Sequence, residues 1–251
     1  MTNNEIKDFL DRKAEEFNRP DFIPEDPISI PHQFTRKQDI EISGLIAAVF
    51  SWGQRKTILN KSIEFLNLMD NTPHDFVLNH EESDLPPFTK FVHRTFQPTD
   101  ALFFLDRLKS IYQEHESLEE LFQGTSMAER LEHFNQRFLS TPHTPERTRK
   151  HIPNPARNSA CKRINMFLRW MVRVDDKGVD FGIWKSISTS ELICPLDVHS
   201  GNTARELGLL SRTQSDWKAA IELTDNLREL DLRDPVKYDF ALFGIGVSGG
   251  L

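Results

Sequence analysis

Between Arg147 and Val174 the chain carries eight Arg or Lys residues (Arg147, Arg149, Lys150, Arg157, Lys162, Arg163, Arg169, Arg173) and no Asp or Glu, although its formal net charge is -7. A cationic segment on an acidic chain suits a local contact with phosphate rather than general nucleic-acid binding, because phosphate affinity needs positive charge where the contact is made. Within it the spacing predicts a basic amphipathic helix from Asn158 to Arg173. At about 100° per residue, Ala160, Ile164, Phe167, Leu168, Met171 and Val172 share one side, while Lys162, Met166, Arg169 and Arg173 form a stripe on the other. Lys162 is thereby expected in the first turn, pointing away from the core, just after the capping candidates Asn158 and Ser159. Further on, Pro195-Leu196-Asp197-Val198-His199 places an aspartate where it caps a following helix.

The elements that must position these residues are helical. Asn4 to Phe17 repeats apolar residues at helical spacing, and four prolines between Arg19 and Pro31 predict an extended connector. Asp39 to Trp52 is apolar almost all round, as expected of a helix at the centre of a bundle. Gly53 ends it, Arg55 to Met69 forms the next helix, and Thr72-Pro73 opens a third. Between Asp84 and Pro98 only short helices fit among the prolines. Thr99 or Asp100 to Glu114, Ser117 to Phe122 and Ser126 to Leu139 are amphipathic, whereas Ser140 to Pro155 is a loop. Asp175 to Ile187 follows no helical or strand pattern and stands as an insertion. The helix capped by Asp197 should end at Gly208; Ser215 to Glu229 and a segment capped by Asp234-Pro235 and reaching about Phe243 complete the chain. No stretch alternates with period two, so the fold class is all-α.

Composition narrows the partners. With 38% hydrophobic and 27% charged residues the chain has the balance of a soluble globular protein. Its longest apolar runs are far short of the roughly 20 residues that span a bilayer, and the N-terminus lacks a charged and apolar leader, so a cytoplasmic protein without a membrane partner is expected. Two cysteines, Cys161 and Cys194, are too few for an iron–sulfur cluster or a four-cysteine zinc site. No cofactor and no metal are expected, and the cysteines read as small apolar fillers.

Pro195 to His199 followed by Ala204-Arg205-Glu206-Leu207-Gly208-Leu209 resembles the catalytic-aspartate segment of the helix-hairpin-helix DNA glycosylases. Ser159-Ala160-Cys161-Lys162 opening an amphipathic helix resembles their catalytic-lysine segment. Ile42 to Leu68, with Ser51-Trp52-Gly53-Gln54 between two helices, is similar to the first helix pair of that superfamily. The segments cover much of Asp39 to Val247 in the right order. The likeness is nearest to the archaeal 8-oxoguanine glycosylases and a related uncharacterised bacterial family. The family hairpin usually carries Gly-x-Gly before the lysine; here the place reads Pro155 to Cys161, a degenerate hairpin in which Arg157 and a bare helix N-terminus could take over the phosphate contact.

The resemblance implies two helical subdomains with a cleft between them: residues 39–174, with the hairpin and lysine helix, and residues 1–38 with 175–251. It implies a monomeric DNA repair glycosylase with β-lyase activity, acting on damaged double-stranded DNA and nucleoid-associated when bound. Lys162 would be the nucleophile and Asp197 the carboxylate facing the developing oxocarbenium charge. The base pocket would take Asp239, Phe243, Met166 and Gln54, and DNA phosphates would meet Arg149, Lys150, Arg157, Arg169 and His199. A carboxylate at Asp239 could accept the N1 and exocyclic amine donors of 8-oxoguanine together. Two other readings stay open on the residues alone: a non-catalytic DNA-binding or damage-sensing protein, and an all-α interaction module retaining an old fold.

Overall fold

A computed structural model describes residues 1–249. Among them lie ten α-helices joined by short 3-10 turns, and no β-strand. The chain is all-α. It divides into two compact units: Met1–Ile23, Ser126–Ala128 and everything from Asn154 on form the first, Pro24–Thr125 with Glu129–Pro153 the second. These boundaries differ from the subdomains expected above, since the lysine helix falls in the unit that holds both chain ends.

The second unit is built on α2 (Lys37–Phe50), which is buried continuously from Ile40 to Phe50, as its all-round apolar sequence requires. It also buries Glu41, whose carboxylate accepts bonds from Tyr112 Oη at 2.8 Å and Leu118 N at 3.0 Å, and from Ser117 Oγ. A buried carboxylate persists only when so satisfied. α3 (Arg55–Asn67) follows directly, and α4 (Pro73–Asn79) begins at Thr72-Pro73. Thr72 makes no capping bond; Asp39 of α2 takes the His74 N–H instead, at 2.8 Å. α5 (Pro98–Glu114) carries Asp100, which receives Gln97 N, Thr148 Oγ1 and Arg147 Nη1. Burial alone would raise that carboxyl, but the adjacent His151 imidazole and the hydrogen bonds from Thr148 and Gln97 outweigh it and hold it below its ordinary range. Asp100 thus pins the Glu146–His151 turn, where a loop was expected. The aromatic core of the unit includes Phe122 stacked on Phe134 with centroids 4.4 Å apart. Its proline-rich connector is not extended: 3-10 turns run from Pro27 to Ser29 and from Pro31 to Gln33, because Pro presets the φ of a tight turn as readily as that of an extended chain.

Ten helices are completed by α6 (Met127–Leu139) and by those of the first unit: α1 (Asn3–Phe17), α7 (Lys162–Val172), α8 (Val198–Glu206), α9 (Trp217–Leu230) and α10 (Tyr238–Val247). α10 packs against both α1 and α8. Gly244 makes the first contact possible, since a Cβ there would lie 2.3 Å from the Phe17 ring. The expected stop of α8 is present, with Gly208 in the left-handed region at φ 75°. The insertion after α7 forms no helix before Thr189–Glu191. It is a strap laid on α7, with Phe181 N and Trp184 N donating to the carbonyls of Trp170 (2.8 Å) and Met171 (2.9 Å), and Trp184 edge-on to Phe167. Those carbonyls have no partner within the helix, so the strap supplies what the end of α7 lacks.

Candidate active site

The basic helix is shorter than its periodicity predicts. α7 starts at Lys162, and Asn158 and Cys161 take left-handed backbone conformations at φ 57° and 51°. Asn adopts this region more readily than most side chains. Asn158 is anchored rather than capping: its Nδ2 donates to Asp216 Oδ2 at 2.9 Å and its carbonyl accepts Trp217 N at 3.3 Å. Asp216 caps α9 through Ala219 N and is gripped by Arg212. The Arg212 hydrogen bond, above all, holds the Asp216 carboxyl far below its ordinary range. The turn before α7 is thus clasped to the start of α9. Cys161, the N-cap, makes no capping bond, so the first turn of α7 has no side-chain acceptor from its cap. Burial pushes the Cys161 thiol up to about 12, which keeps it from acting as a thiolate.

Lys162 and Asp197 meet. Lys162 Nζ lies 3.7 Å from Asp197 Oδ2, with 29% and 22% of their side-chain surfaces exposed, so the pair is open to a ligand. Asp197 is the N-cap of α8 and forms a reciprocal box with Ser200. Its Oδ1 takes Ser200 N at 2.9 Å and Ser200 Oγ at 3.1 Å, leaving Oδ2 to face the amine. The cap therefore orients the carboxylate.

Deeper in the same unit the stripe departs from expectation. Met166, Arg169 and Arg173 are buried rather than solvated. Arg169, 4% exposed, donates through Nε to Asp180 Oδ1 at 3.2 Å and through Nη1 to Asp239 Oδ2. That corrects its expected role: committed to two carboxylates in the interior, it is not a phosphate contact. Arg173 Nη1 reaches Asp180 Oδ2 at 3.0 Å and Asp175 at 2.6 Å, while its Nε donates to Asp234. Phe240 lies against both guanidiniums, with centroid distances of 4.2 Å and 5.4 Å. Such cation–π contact suits cations stripped of water. Asp239 is 7% exposed. Burial, together with the Asp197 charge, raises its carboxyl to about 6 against the opposing pull of Arg169 and Lys162. Four of the expected site residues, Lys162, Asp197, Asp239 and Arg169, thus share one electrostatic field.

Phe243, one turn beyond Asp239, is half-buried between Phe22 and the exposed His199, with centroids 6.5 Å and 6.3 Å away. Arg157 is exposed, at the end of the Pro155–Arg157 turn. Gln54, Arg149 and Lys150 belong to the other unit, where Gln54 and Lys150 are exposed and Arg149 pairs with Glu146 at 2.9 Å. Sequence reasoning did not single out Asp180 or Asp216. A signal for Asp180 existed: Arg169 and Arg173, one turn apart, precede a stretch bearing Asp175, Asp176 and Asp180. Nothing local marks Asp216 as more than a cap. Among the described residues no three His, Cys, Asp or Glu side chains gather to hold a metal ion, and no helix is long and apolar enough to cross a membrane.

A family model described as protein of unknown function (DUF2400) matches residues 26–248. The chain belongs to that family. Neither curated proteins nor solved structures give a significant match.

Proposed function

We propose that the protein is a monomeric DNA glycosylase with associated β-lyase activity, acting on damaged double-stranded DNA in the cytoplasm and excising an oxidised purine, with 8-oxoguanine as the favoured base. The observation that carries the reading is the Lys162–Asp197 pair, an amine at the first position of a helix 3.7 Å from an oriented carboxylate. Lys162, as the neutral amine, attacks C1′ of the damaged nucleotide. The N-glycosidic bond breaks and the base leaves with the electron pair and takes up a proton. Asp197, held by the α8 cap, stabilises the positive charge that develops on the sugar. Opening of the sugar ring gives a protonated Schiff base on Lys162, and loss of a C2′ proton then expels the 3′ phosphate. The exposed Arg157 and uncapped first turn of α7 suit phosphate binding beside the amine. In the other unit Trp52, half exposed with the Arg94 guanidinium 4.9 Å from its ring centroid, offers a surface on which a nucleic-acid base could stack.

Borohydride trapping on a panel of lesion duplexes tests the reading, because reduction of the Schiff base leaves a covalent protein–DNA adduct. Wild type should trap on 8-oxoguanine DNA, and Lys162→Gln should trap nothing while binding the same duplex. Binding without any trapping on every lesion would favour a damage-sensing protein; trapping by Lys162→Gln at the wild-type rate would remove Lys162 from the mechanism.

A further inference from the structure

A cavity of about 240 Å³ in the first unit shares no residue with the Lys162–Asp197 pair. One wall is the face of α1 that carries Asp11, Ala14, Glu15 and Asn18, at the i, i+3, i+4 and i+7 spacing of neighbours on a helix. The other is the end of α7 and the start of the strap, Arg173 with Asp175, Asp176 and Lys177, joined by Lys237 from the turn before α10. Asn18 is 5% exposed. Its Nδ2 donates to Asp175 Oδ2 at 2.6 Å, which fixes the orientation of the amide because a carboxylate only accepts, and its Oδ1 has no hydrogen-bond partner among the described residues. A buried amide oxygen without a donor is costly and calls for one. The lining is also acidic: it carries four carboxylates and three cations, and two of those cations are drawn away by carboxylates outside the lining, Arg173 by Asp180 and Asp234 and Lys237 by Asp231. Burial would raise the Asp11 and Asp175 carboxyls, but their hydrogen bonds, led by those from Lys7 and from Asn18, outweigh it and hold both below the ordinary range.

We propose that this cavity binds a small organic dication, a diamine with two primary ammonium groups, which bridges α1 to the strap. From Asp11 to Asn18 the wall covers about 10 Å of helix at roughly 1.5 Å per residue, too long for a single ammonium. Along it the Asp11 carboxylate, the Ala14 methyl and the Asn18 amide oxygen follow one another. That order matches an ammonium, a methylene chain and a second ammonium, each charged end meeting acceptors and the apolar middle meeting a methyl. A metal ion fits less well, since among the described residues no three His, Cys, Asp or Glu side chains gather to ligate one. Lys177 is the protein's own competitor at the rim: its Nζ lies 2.8 Å from Glu15 Oε2 and 4.0 Å from Asp176 Oδ1, on carboxylates that are 68% and 90% exposed. Removing the acceptor and removing the competitor therefore act in opposite senses. The site needs no reading of the chemistry at Lys162, so it stands whether or not the protein excises a base.

Isothermal titration calorimetry on the full chain tests the site, with 1,4-diaminobutane, n-butylamine, magnesium chloride and ornithine titrated at matched ionic strength. The diamine should bind at a single saturable site and more tightly than the other three. Asn18→Leu, which removes the acceptor at nearly constant volume and charge, should weaken diamine binding by about tenfold, as expected for one hydrogen bond to a charged group. Glu15→Gln should weaken it by about twofold, and Lys177→Gln should tighten it by about twofold. Urea unfolding of each variant shows whether it folds; if Asn18→Leu does not, the opposite shifts of Glu15→Gln and Lys177→Gln decide, both being changes near the surface. No saturable heat at millimolar diamine overturns the proposal, as does equal affinity for butylamine or magnesium, which would mean charge screening alone. Tighter binding of ornithine, the same diamine bearing a carboxylate, overturns the dication in favour of a zwitterion. Unchanged affinity in a folded Asn18→Leu, or weaker binding by Lys177→Gln, places the diamine elsewhere and overturns the site.

Discussion

Replacing Asp239 by Asn removes a carboxyl whose folded environment favours the protonated form. The wild-type carboxyl is raised from 3.8 to about 6, chiefly by burial. A raised carboxyl contributes stability that is fully present below the unfolded value and is lost as pH climbs through the folded one. Taking 3.8 for the unfolded chain, the contribution falls by about 2 kcal/mol between pH 4.5 and pH 8. Asp239→Asn lacks this dependence. It also loses a charge-assisted bond from Arg169, but that change is a nearly constant offset, because Asp180 remains as counter-charge. The stability difference between variant and wild type, from urea unfolding at several pH values, should therefore shift in favour of the variant by about 2 kcal/mol from pH 4.5 to pH 8. A difference that is flat across this interval, or that shifts toward wild type as pH rises, would refute the account of Asp239 as a carboxyl raised by its burial.

The other expected outcomes concern the site, the DNA contact and the core. Asp197→Asn should slow single-turnover excision by roughly 10²-fold or more, since the sugar cation loses its counter-charge; an unchanged rate would take Asp197 out of the mechanism. The double change Lys150→Ala, Arg157→Ala should flatten the slope of log K against log salt by about 0.9 for each phosphate contact removed, and equal slopes would show that neither residue meets phosphate. Phe134→Ala empties a fully buried position stacked on Phe122. It should destabilise the fold by about 3–5 kcal/mol, and a loss below about 1 kcal/mol in urea unfolding would contradict the packing described for that core.

Local pattern decided much of the fold. The unbroken apolar run of α2, the Thr72-Pro73 start of α4, the Asp197 cap of α8 and its Gly208 stop are each specified by residues within a turn or two of one another. Hydrophobic periodicity and capping act over that range, so these elements were legible before any tertiary contact was known. The likeness that pointed to Lys162 and Asp197 was legible as two separate segments; that the amine and the carboxylate stand 3.7 Å apart is a tertiary fact. The same limit explains the departures. A helical wheel assigns Arg169 and Arg173 to solvent because a lone charge is costly to bury. Their burial is decided by carboxylates that arrive from elsewhere, Asp175 and Asp180 on the strap and Asp234 and Asp239 near α10, together with the face of Phe240. Likewise the start of α7 moves from Asn158 to Lys162 because Asp216, nearly sixty residues on, holds Asn158 in a left-handed turn. Pairing of charges across the chain carries no local signature, and it is this pairing, rather than periodicity, that determines which cations of the basic segment remain for a ligand.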